Sequence, residues 1–478
     1  QQPREGDDGG WRSVGAKPKD TSQDFINSFF DNFKRGEDTG LDDSIFDSLA
    51  QVEAPKSGKK FDDLGLNPKL LQVLKNNGYV EPTPIQAAVC EHALRGQDII
   101  GLSLTGSGKT LAFALPVVQK RIEEMRKRPH KPVKYGPAPV GALVMTPTRE
   151  LALQIRQVFR SLKIGTAMAV GGQSPMHQIP EIRKCPILVG TPGRLLDYLE
   201  NGVIDLRYTK QLVLDEADRM LDMGFQKELE RICAGMGEEG REGEEGEHES
   251  RQTMLFSATM PKEVRGLVKK YTKSPLEIDV RENQATVDSV QQYILPTRSF
   301  VEKNAKLLQL LEEIEEHTPD YRVLLFCNTK RLVNETAEAM IRSNKKQVQP
   351  LHGDLSFPAR QRGLARFRQG DARVLIATDV VARGIDVKGI THVINYDMPQ
   401  DADSYIHRIG RTARAGAEGV AISFINSFTD EAMLKKVEKM TQSRPKILDL
   451  KRWTTISPEP IATKEVPQMK GTPLKVDI

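Results

Sequence analysis

Short apolar runs alternate with helical patterns through most of this 478-residue chain. Between Phe61 and about Val280, runs such as DIIGLSL, GALVMT, ILVG and QLVLDE are separated by segments such as RELALQIRQVFRSL, with helical apolar spacing. This alternation predicts a parallel β-sheet covered by helices on both faces. The pattern restarts near Gln291 with RVLLFCNT, RVLIATD, THVINY and GVAISFI. The sequence therefore predicts two tandem α/β domains of similar architecture.

The polar segments between and outside these runs define the predicted boundaries. Residues 1–60 are rich in Gly, Asp and Ser, which is typical of an extension that does not form its own core. The polar segment RENQATVD is the predicted linker. The predicted units are an N-terminal extension at 1–60, a first domain at 61–280, a linker at 281–290, a second domain at 291–442 and a C-terminal tail at 443–478.

Composition excludes several classes of protein. Hydrophobic residues make up 38% and charged residues 28% of the chain, as in ordinary globular proteins. No apolar run approaches the roughly 20 residues that span a bilayer, and no secretory signal pattern opens the chain. We therefore expect a soluble intracellular protein, with cytoplasm, nucleus and organelle left open, and mitochondria included if a targeting segment precedes Gln1. The four cysteines form no C-x-x-C pair, so neither a zinc site nor a disulfide framework is predicted.

The charge is unevenly distributed along the chain. The formal net charge is +4, yet residues 238–249 (EEGREGEEGEHE) contain seven glutamates and one arginine. The rest of the chain is therefore more basic than the total suggests, which suits a polyanionic partner. Like charges and glycines predict that the acidic segment is a solvated loop.

The segment SLTGSGKT at 103–110 lies between a predicted strand and a predicted helix. Glycine-rich loops in this position bind phosphates through backbone N–H groups at a helix N-terminus. Lys109 is expected to reach the β- and γ-phosphates, and the Thr110 hydroxyl to bind Mg²⁺. Ser103 stands where the strict pattern has Gly, so the match is partial and a purely structural turn is the alternative. The remaining candidate loop residues are Thr105, Gly106, Ser107 and Gly108.

The segment QLVLDEAD ends a second apolar run with carboxylates. Asp215 is the candidate Mg²⁺ ligand and Glu216 the candidate group that polarises the attacking water. The alternative is that both are only the acidic first turn of a helix. The presence of a phosphate loop in the same chain favours nucleotide hydrolysis.

A series of short motifs follows along the chain: Phe61 with GYVEPTPIQ (78–86), SLTGSGKT (103–110), PTRELA (147–152), GG (171–172), TPGR (191–194), DEAD (215–218), SAT (257–259), HGD (352–354), ATDVVARGID (377–386) and HRIGRTARAG (407–416). In content and order this series resembles the DEAD-box ATP-dependent RNA helicases of superfamily 2. The resemblance covers about 61–442 and implies two RecA-like domains that use ATP and Mg²⁺.

The resemblance implies roles at the nucleotide. Gln86 is expected to hydrogen-bond the adenine edge while Phe61 stacks on the base, although a helix cap is the alternative for Gln86. Asp386 is expected to contact the ribose, and Arg411 and Arg414 the γ-phosphate from the second domain. An arginine finger contributes roughly 10³ to 10⁵ in rate in related phosphoryl transfers.

The resemblance also implies an RNA path and a coupling route. Backbone contacts give affinity without sequence readout, and contacts with 2′-hydroxyls select RNA. For an isolated arginine, a solvated surface charge remains the alternative. The implied RNA contacts are Pro147, Thr148, Arg149, Gly171, Thr191 and Arg194 on the first domain, with Arg360 and Thr378 on the second. The implied coupling residues are Ser257, Thr259, Arg383 and His407.

Three residues depart from the family pattern. Ser103 stands where Ala is usual, and Ala413 replaces the glycine between the two arginine fingers. Phe357 takes the position of a usual Gln three residues before Arg360, which removes an amide near the RNA path.

The leading hypothesis is an RNA-dependent ATPase that separates short helices locally. An ATP-controlled RNA clamp or assembly scaffold is the alternative from another class, and a DNA translocase is disfavoured by the motif versions. Ribosome assembly is a general expectation for the family. The RNA target itself is not identified by these motifs.

Two terminal segments are further candidates for binding. Within residues 23–36, Phe25, Phe29 and Phe33 would form an apolar stripe on a helix, which either folds back on the core or docks on a protein or ribonucleoprotein partner. The basic segment KILDLKRW at 446–453 either extends the RNA surface or is a solvated tail.

Overall fold

The structure is a computed structural model that describes most of the two α/β domains. The described residues are 58–103, 107–127, 131–236, 251–280, 290–343, 347–379, 387, 389–413, 419–441 and 443–450. The predictions for the phenylalanine stripe at 23–36 and the acidic segment at 238–249 lie outside the described residues, as does the predicted linker at 281–290 except for its last residue, Val290, which begins a strand of the second domain.

The first domain is built on a seven-stranded sheet in the order β4-β5-β3-β7-β8-β1-β9. Every described strand pair in it is parallel. Its strands are β1 (Ile99–Leu102), β3 (Ala142–Met145), β4 (Thr166–Ala169), β5 (Ile187–Gly190), β7 (Gln211–Asp215), β8 (Gln252–Ser257) and β9 (Leu276–Asp279), and a separate parallel pair is formed by β2 (Ala138–Pro139) and β6 (Ile204–Asp205).

Helices cover both faces of this sheet, as the alternating pattern predicts. After a short 3₁₀ helix at Phe61–Leu64 come α1 (Pro68–Asn76), α2 (Pro84–Ala93), α3 (Lys109–Lys127), α4 (Arg149–Ser161), α5 (Pro175–Ile182), α6 (Pro192–Glu200), α7 (Ala217–Asp222), α8 (Gln226–Ala234) and α9 (Lys262–Tyr271). The apolar strand residues divide between two separate hydrophobic clusters, which fits a sheet buried on both sides. Successive residues Leu143 and Val144 of β3, for example, belong to opposite clusters.

The second domain repeats this plan in a sheet of order β12-β13-β11-β14-β15-β10-β16. Its strands are β10 (Val290–Pro296), β11 (Val323–Phe326), β12 (Val348–Leu351), β13 (Val374–Ala377), β14 (His392–Asn395), β15 (Gly419–Ile425) and β16 (Lys446–Ile447), and its helices are α10 (Phe300–His317), α11 (Lys330–Arg342), α12 (Phe357–Gln369), α13 (Ala402–Ile409) and α14 (Phe428–Thr441). The prediction of two parallel-sheet domains is therefore confirmed.

The edge of the second sheet includes residues that the sequence analysis assigned to the tail. Lys446–Ile447 pairs with β10, and the Leu448 backbone N–H donates to the Ile294 carbonyl at 2.9 Å. Leu448 and Leu450 are buried in the hydrophobic core of this domain. The start of the tail at 443 is therefore corrected: the segment to 450 belongs to the second domain. In KILDLKRW the first two residues form the edge strand, the next three continue the second domain, and residues 451–453 lie outside the described residues.

Among the described residues, none of the helices has the length and apolar character required to cross a membrane.

Candidate functional site

Three motifs meet at adjacent strand ends in the first domain. The sheet order places β7, β8 and β1 side by side, and all three strands run parallel. The phosphate loop follows β1, the DEAD segment ends β7, and the SAT segment ends β8. The carboxyl edge of a parallel sheet is where α/β proteins bind ligands.

The phosphate loop is held by its own serines and lysine. The Lys109 ammonium donates to the Ser103 carbonyl at 2.8 Å, and the Ser107 hydroxyl donates to the Ser103 hydroxyl at 2.9 Å. The Ser103 backbone N–H donates to the Ser257 carbonyl at 3.2 Å, which ties the loop to the SAT strand. Ser103 thus makes a side-chain bond that an alanine could not form. Thr110 is the second residue of α3, next to Lys109.

The two catalytic carboxylate candidates are both buried at the end of β7. Burial raises the pKa of Asp215 to about 7, against the opposing effect of the Lys109 ammonium. Glu216 has a left-handed backbone with φ of 53° and forms an ion pair with Arg219 at 3.0 Å. The candidate metal ligand and the candidate water-polarising group therefore lie in a dry setting beside the phosphate loop.

Gln86 connects the start of α2 to the phosphate loop. Its carbonyl oxygen accepts from the Thr83 N–H at 3.0 Å, and its amide donates to the Gly108 carbonyl at 3.1 Å. The helix-cap alternative for Gln86 is therefore what the structure contains, combined with a contact to the loop. Gly108 has φ of 90°, and a Cβ there would meet the Gln86 amide nitrogen at 2.4 Å, so glycine is required.

Phe61 lies in the core of the first domain, only 3% exposed. Its ring therefore has little accessible surface for an adenine base. The predicted stacking of adenine on Phe61, like the adenine contact of Gln86, stays a prediction.

Asp218, the last residue of DEAD, links the motif to SAT. Its carboxylate accepts from the Thr259 hydroxyl at 2.9 Å and from the Thr259 backbone N–H at 3.1 Å. The Asp218 backbone N–H donates to the Ser257 hydroxyl at 3.4 Å. Burial acts to raise its pKa, but nearby positive charge, led by His407 of the second domain, holds the pKa of Asp218 below its usual range. Ser257, Thr259 and His407 were predicted from their motifs, whereas Asp218, which bonds the first two and lies near the charge of the third, was not among the predicted site residues.

The predicted RNA contacts of the first domain follow β3, β4 and β5, which are adjacent in the sheet. The Arg149 guanidinium lies against the glycine pair, since a Cβ on Gly172 would meet it at 2.1 Å. Arg194 donates to the Gln173 carbonyl at 3.3 Å from α6. The structure therefore brings these residues to one edge. Thr148 and Thr191 are the N-cap residues of α4 and α6, Pro147 precedes Thr148, and Gly171 follows β4.

The second domain contributes Arg360 and Thr378. The Arg360 Nε lies 3.0 Å from a carboxylate oxygen of Glu150 in the first domain, and both side chains are buried. Burial lowers the pKa of Arg149, and the positive charges of Arg360 and Arg194 lower it further. Three arginines therefore lie close together with Glu150 among them. Thr378 follows β13 and its backbone N–H donates to the Leu351 carbonyl.

Arg408 is a buried hub that the sequence analysis did not single out. Its guanidinium donates to both oxygens of Asp379 at 2.7 and 2.6 Å. It also donates to the Asn328 and Asn395 side chains and to the Asp397 carbonyl. Planar bidentate recognition of this kind requires arginine. Arg411, one turn later, donates from Nε to the His407 carbonyl at 3.1 Å.

Five of the predicted site residues lie outside the described residues, so their placement stays a prediction. They are Thr105, Gly106, Arg383, Asp386 and Arg414.

Comparison with known proteins identifies the family. Two family models match, the DEAD/DEAH box helicase over residues 83–267 and the helicase conserved C-terminal domain over residues 302–416. The DEAD-box ATP-dependent RNA helicase CshA of Bacillus cereus is 38% identical over 396 residues, covering 81% of this chain and 69% of the relative. CshA of Geobacillus kaustophilus is also 38% identical, over 401 residues, and this match covers 81% of the present chain and 79% of the relative.

Solved structures share the two-domain arrangement. Dbp5 of S. cerevisiae bound to RNA and ADP BeF3 is 30% identical with a TM-score of 0.70, covering 83% of this chain and 97% of that one. Mss116p bound to ssRNA and AMP-PNP is 27% identical with a TM-score of 0.71, and the match covers 83% of this chain and 82% of that one.

The two RecA-like domains and the phosphate loop define a class of two-domain ATP hydrolases. Together with the relatives, they show that this chain belongs to the DEAD-box ATP-dependent RNA helicase family. The prediction of an ATP-hydrolysing RNA helicase is therefore confirmed, whereas ribosome assembly stays a prediction.

Proposed function

We propose that the chain hydrolyses ATP between the phosphate loop and the DEAD strand, and that closure of the two domains on an RNA backbone separates short duplexes. The observation that carries this proposal is the bonded route from Ser103 through Ser257 and Asp218 to Thr259. Hydrogen bonds connect each step of this route, so a movement of the phosphate loop on nucleotide binding can be transmitted to the SAT residues.

The residues around Lys109 suit the chemistry of phosphoryl transfer. Lys109 would exchange the Ser103 carbonyl for the β- and γ-phosphate oxygens. Glu216, oriented by its ion pair with Arg219, would accept the proton of the water that attacks the γ-phosphorus, which leaves ADP and phosphate. Arg411 and Arg414 would stabilise the developing charge from the second domain.

The donor set near Asp215 fits a magnesium ion. Mg²⁺ prefers oxygen ligands, and Thr110 and Asp215 would supply a hydroxyl and a carboxylate. The buried carboxylate, whose pKa is raised to about 7 without a bound ion, is the kind of group that a divalent cation stabilises in its charged form. When bound, Mg²⁺ would neutralise phosphate charge during transfer.

RNA selection would come from the sugar–phosphate path along Arg149, Arg194 and Arg360. In the proposal these charged side chains contact the RNA backbone, so little sequence specificity is expected from the core.

The test is steady-state ATPase activity measured with RNA, with DNA of the same sequence, and with neither, together with strand separation of a short RNA duplex. The proposal is supported if RNA but not DNA stimulates the ATPase activity and the RNA duplex is separated. Equal stimulation by DNA overturns the RNA selection, and stimulation without strand separation favours the clamp alternative.

Choice of target would then depend on a second contact outside the core. We propose that residues 23–36 dock on a protein or ribonucleoprotein partner, because Phe25, Phe29 and Phe33 recur at a spacing of four in a polar extension. The double variant Phe29→Ser and Phe33→Ser should keep RNA-stimulated ATPase and lose co-purification with the native particle. Retained association, or a loss of core ATPase, would contradict this docking role.

A further inference from the structure

Phe357 is a buried aromatic residue at the start of α12. Its exposure is 6%, and Ser356 caps the helix by accepting from the Ala359 N–H at 3.4 Å. Leu364 and Phe367 of the same helix lie in a hydrophobic cluster of the second domain. Among the described residues, none of the second domain's hydrophobic clusters includes Phe357. The ring is therefore buried apart from these apolar clusters and next to a charged side chain, Arg360.

The ring of Phe357 faces the arginine one turn later. The guanidinium carbon of Arg360 lies 6.0 Å from the ring centroid, which is within the range of a cation–π contact. Residues three apart on a helix are neighbours on its surface, so the contact follows from the spacing. The interaction is stronger for groups removed from water, and Arg360 is only 6% exposed.

Arg360 also meets the first domain. Its Nε lies 3.0 Å from Glu150, yet neither this nitrogen nor the nearer Glu150 oxygen makes a hydrogen bond of good geometry. The attraction is therefore mainly Coulombic and gives the guanidinium little directional control. A flat aromatic surface beside the guanidinium supplies a second constraint on its position.

We propose that Phe357 is a positioning residue that holds Arg360 against Glu150 and in line for the RNA backbone. This inference rests on the proposed function, in which Arg360 contacts RNA. Because the Phe357 ring is buried and makes no hydrogen bond of the kind an amide makes, its proposed effect on RNA passes through Arg360. The consequence is that the two residues behave as one unit in RNA binding.

The test is a double-mutant cycle in the full chain, read as the KM for RNA and the kcat of RNA-stimulated ATPase. Phe357→Leu keeps an apolar side chain but removes the aromatic face. It should raise the RNA KM roughly threefold to thirtyfold, the range expected for a buried cation–π contact, and leave kcat within about twofold. Arg360→Ala should raise the RNA KM as well. Adding Phe357→Leu to Arg360→Ala should change it by less than about twofold, because the unit is already broken.

Two outcomes overturn the inference: an unchanged RNA KM in Phe357→Leu, or the same rise in both backgrounds, which would show a role independent of Arg360. ATP affinity and thermal melting report folding, and if Phe357→Leu melts early, Phe357→Met replaces it in the same cycle. The proposed function fails separately, when RNA does not stimulate the wild type or when Arg360→Ala leaves the RNA KM unchanged.

Discussion

The Arg408 hub can be tested by replacing this arginine with lysine, which keeps the positive charge and loses the planar fork. Arg408 is fully buried and makes five hydrogen bonds from three nitrogens to Asp379, Asn328, Asn395 and the Asp397 carbonyl. A lysine has three donors on one nitrogen and cannot reach acceptors spread over three directions. At least two acceptors would lose their partner.

The expected loss of stability follows from these contacts. A hydrogen bond to a charged group contributes about 1.5 to 3 kcal/mol, so two lost bonds cost about 3 to 6 kcal/mol. For a domain of this size, each kcal/mol corresponds to roughly 2 to 4 °C in melting temperature. We therefore expect Arg408→Lys to lower the melting temperature of the second domain by about 6 °C or more.

The same change should impair hydrolysis more than nucleotide binding. Arg408 fixes α13, which carries His407 and leads into Arg411, whereas the phosphate loop belongs to the first domain. Scanning calorimetry measures the melting temperature, and steady-state ATPase at saturating RNA measures hydrolysis. The affinity for a fluorescent ATP analogue measures nucleotide binding.

A matched control is Arg331→Lys, since Arg331 is 86% exposed and pairs only with Glu335 one turn away among its described contacts. Such exposed pairs contribute little, so its melting temperature should match the wild type. If Arg408→Lys has the same melting temperature as the control and retains full ATPase activity, the contacts of Arg408 do not stabilise the second domain or support hydrolysis.

Three further predictions concern the nucleotide site and the acidic segment. Lys109→Ala should abolish ATP binding or turnover, while Glu216→Gln should keep binding and accumulate an RNA-bound closed state; unchanged ATPase in either variant would reject these roles. Gln86→Ala should weaken ATP binding and narrow its advantage over GTP in competition assays, because the amide offers a donor and an acceptor; equal use of all four nucleotides by the wild type would contradict the adenine contact. Deletion of 238–249 should leave RNA-stimulated ATPase within a few-fold, since like charges disfavour packing; a loss as large as that of Lys109→Ala would show that this segment takes part in catalysis.

The fold was predictable because its strands are short, apolar and buried on both faces. Continuous short runs such as ILVG, alternating with helical patterns, favour strands in the interior of a parallel sheet. The edge strand β16 was missed because only two residues pair, far along the chain from β10, and its Lys446 is polar. Propensity carries little information about such a short pairing.

The placement of the candidate site residues was predictable from the sequence where the motifs follow strand ends, but their supporting contacts with distant segments were not. Asp215 and Lys109 belong to recognisable local patterns. The partners of Arg408 lie 11 to 80 residues away, so no local spacing indicates them. Gln86 shows the same limit, since its contact with Gly108 is 22 residues distant. Long-range hydrogen bonds therefore form the part of the site that sequence patterns do not contain.

The position of Arg360 joins RNA binding to domain closure. In the proposed function it contacts the RNA backbone, and in the structure it pairs with Glu150 across the two domains. Arg149 lies close to Arg360. Burial is the largest cause that lowers the pKa of Arg149, and the positive charge of Arg360 is the second largest. A phosphate entering between these guanidinium groups would relieve their repulsion, while Glu150 alone can compensate only one of them. RNA should therefore favour the closed arrangement directly through these charges, and closure should in turn favour RNA to the same extent, because coupling between two equilibria is reciprocal.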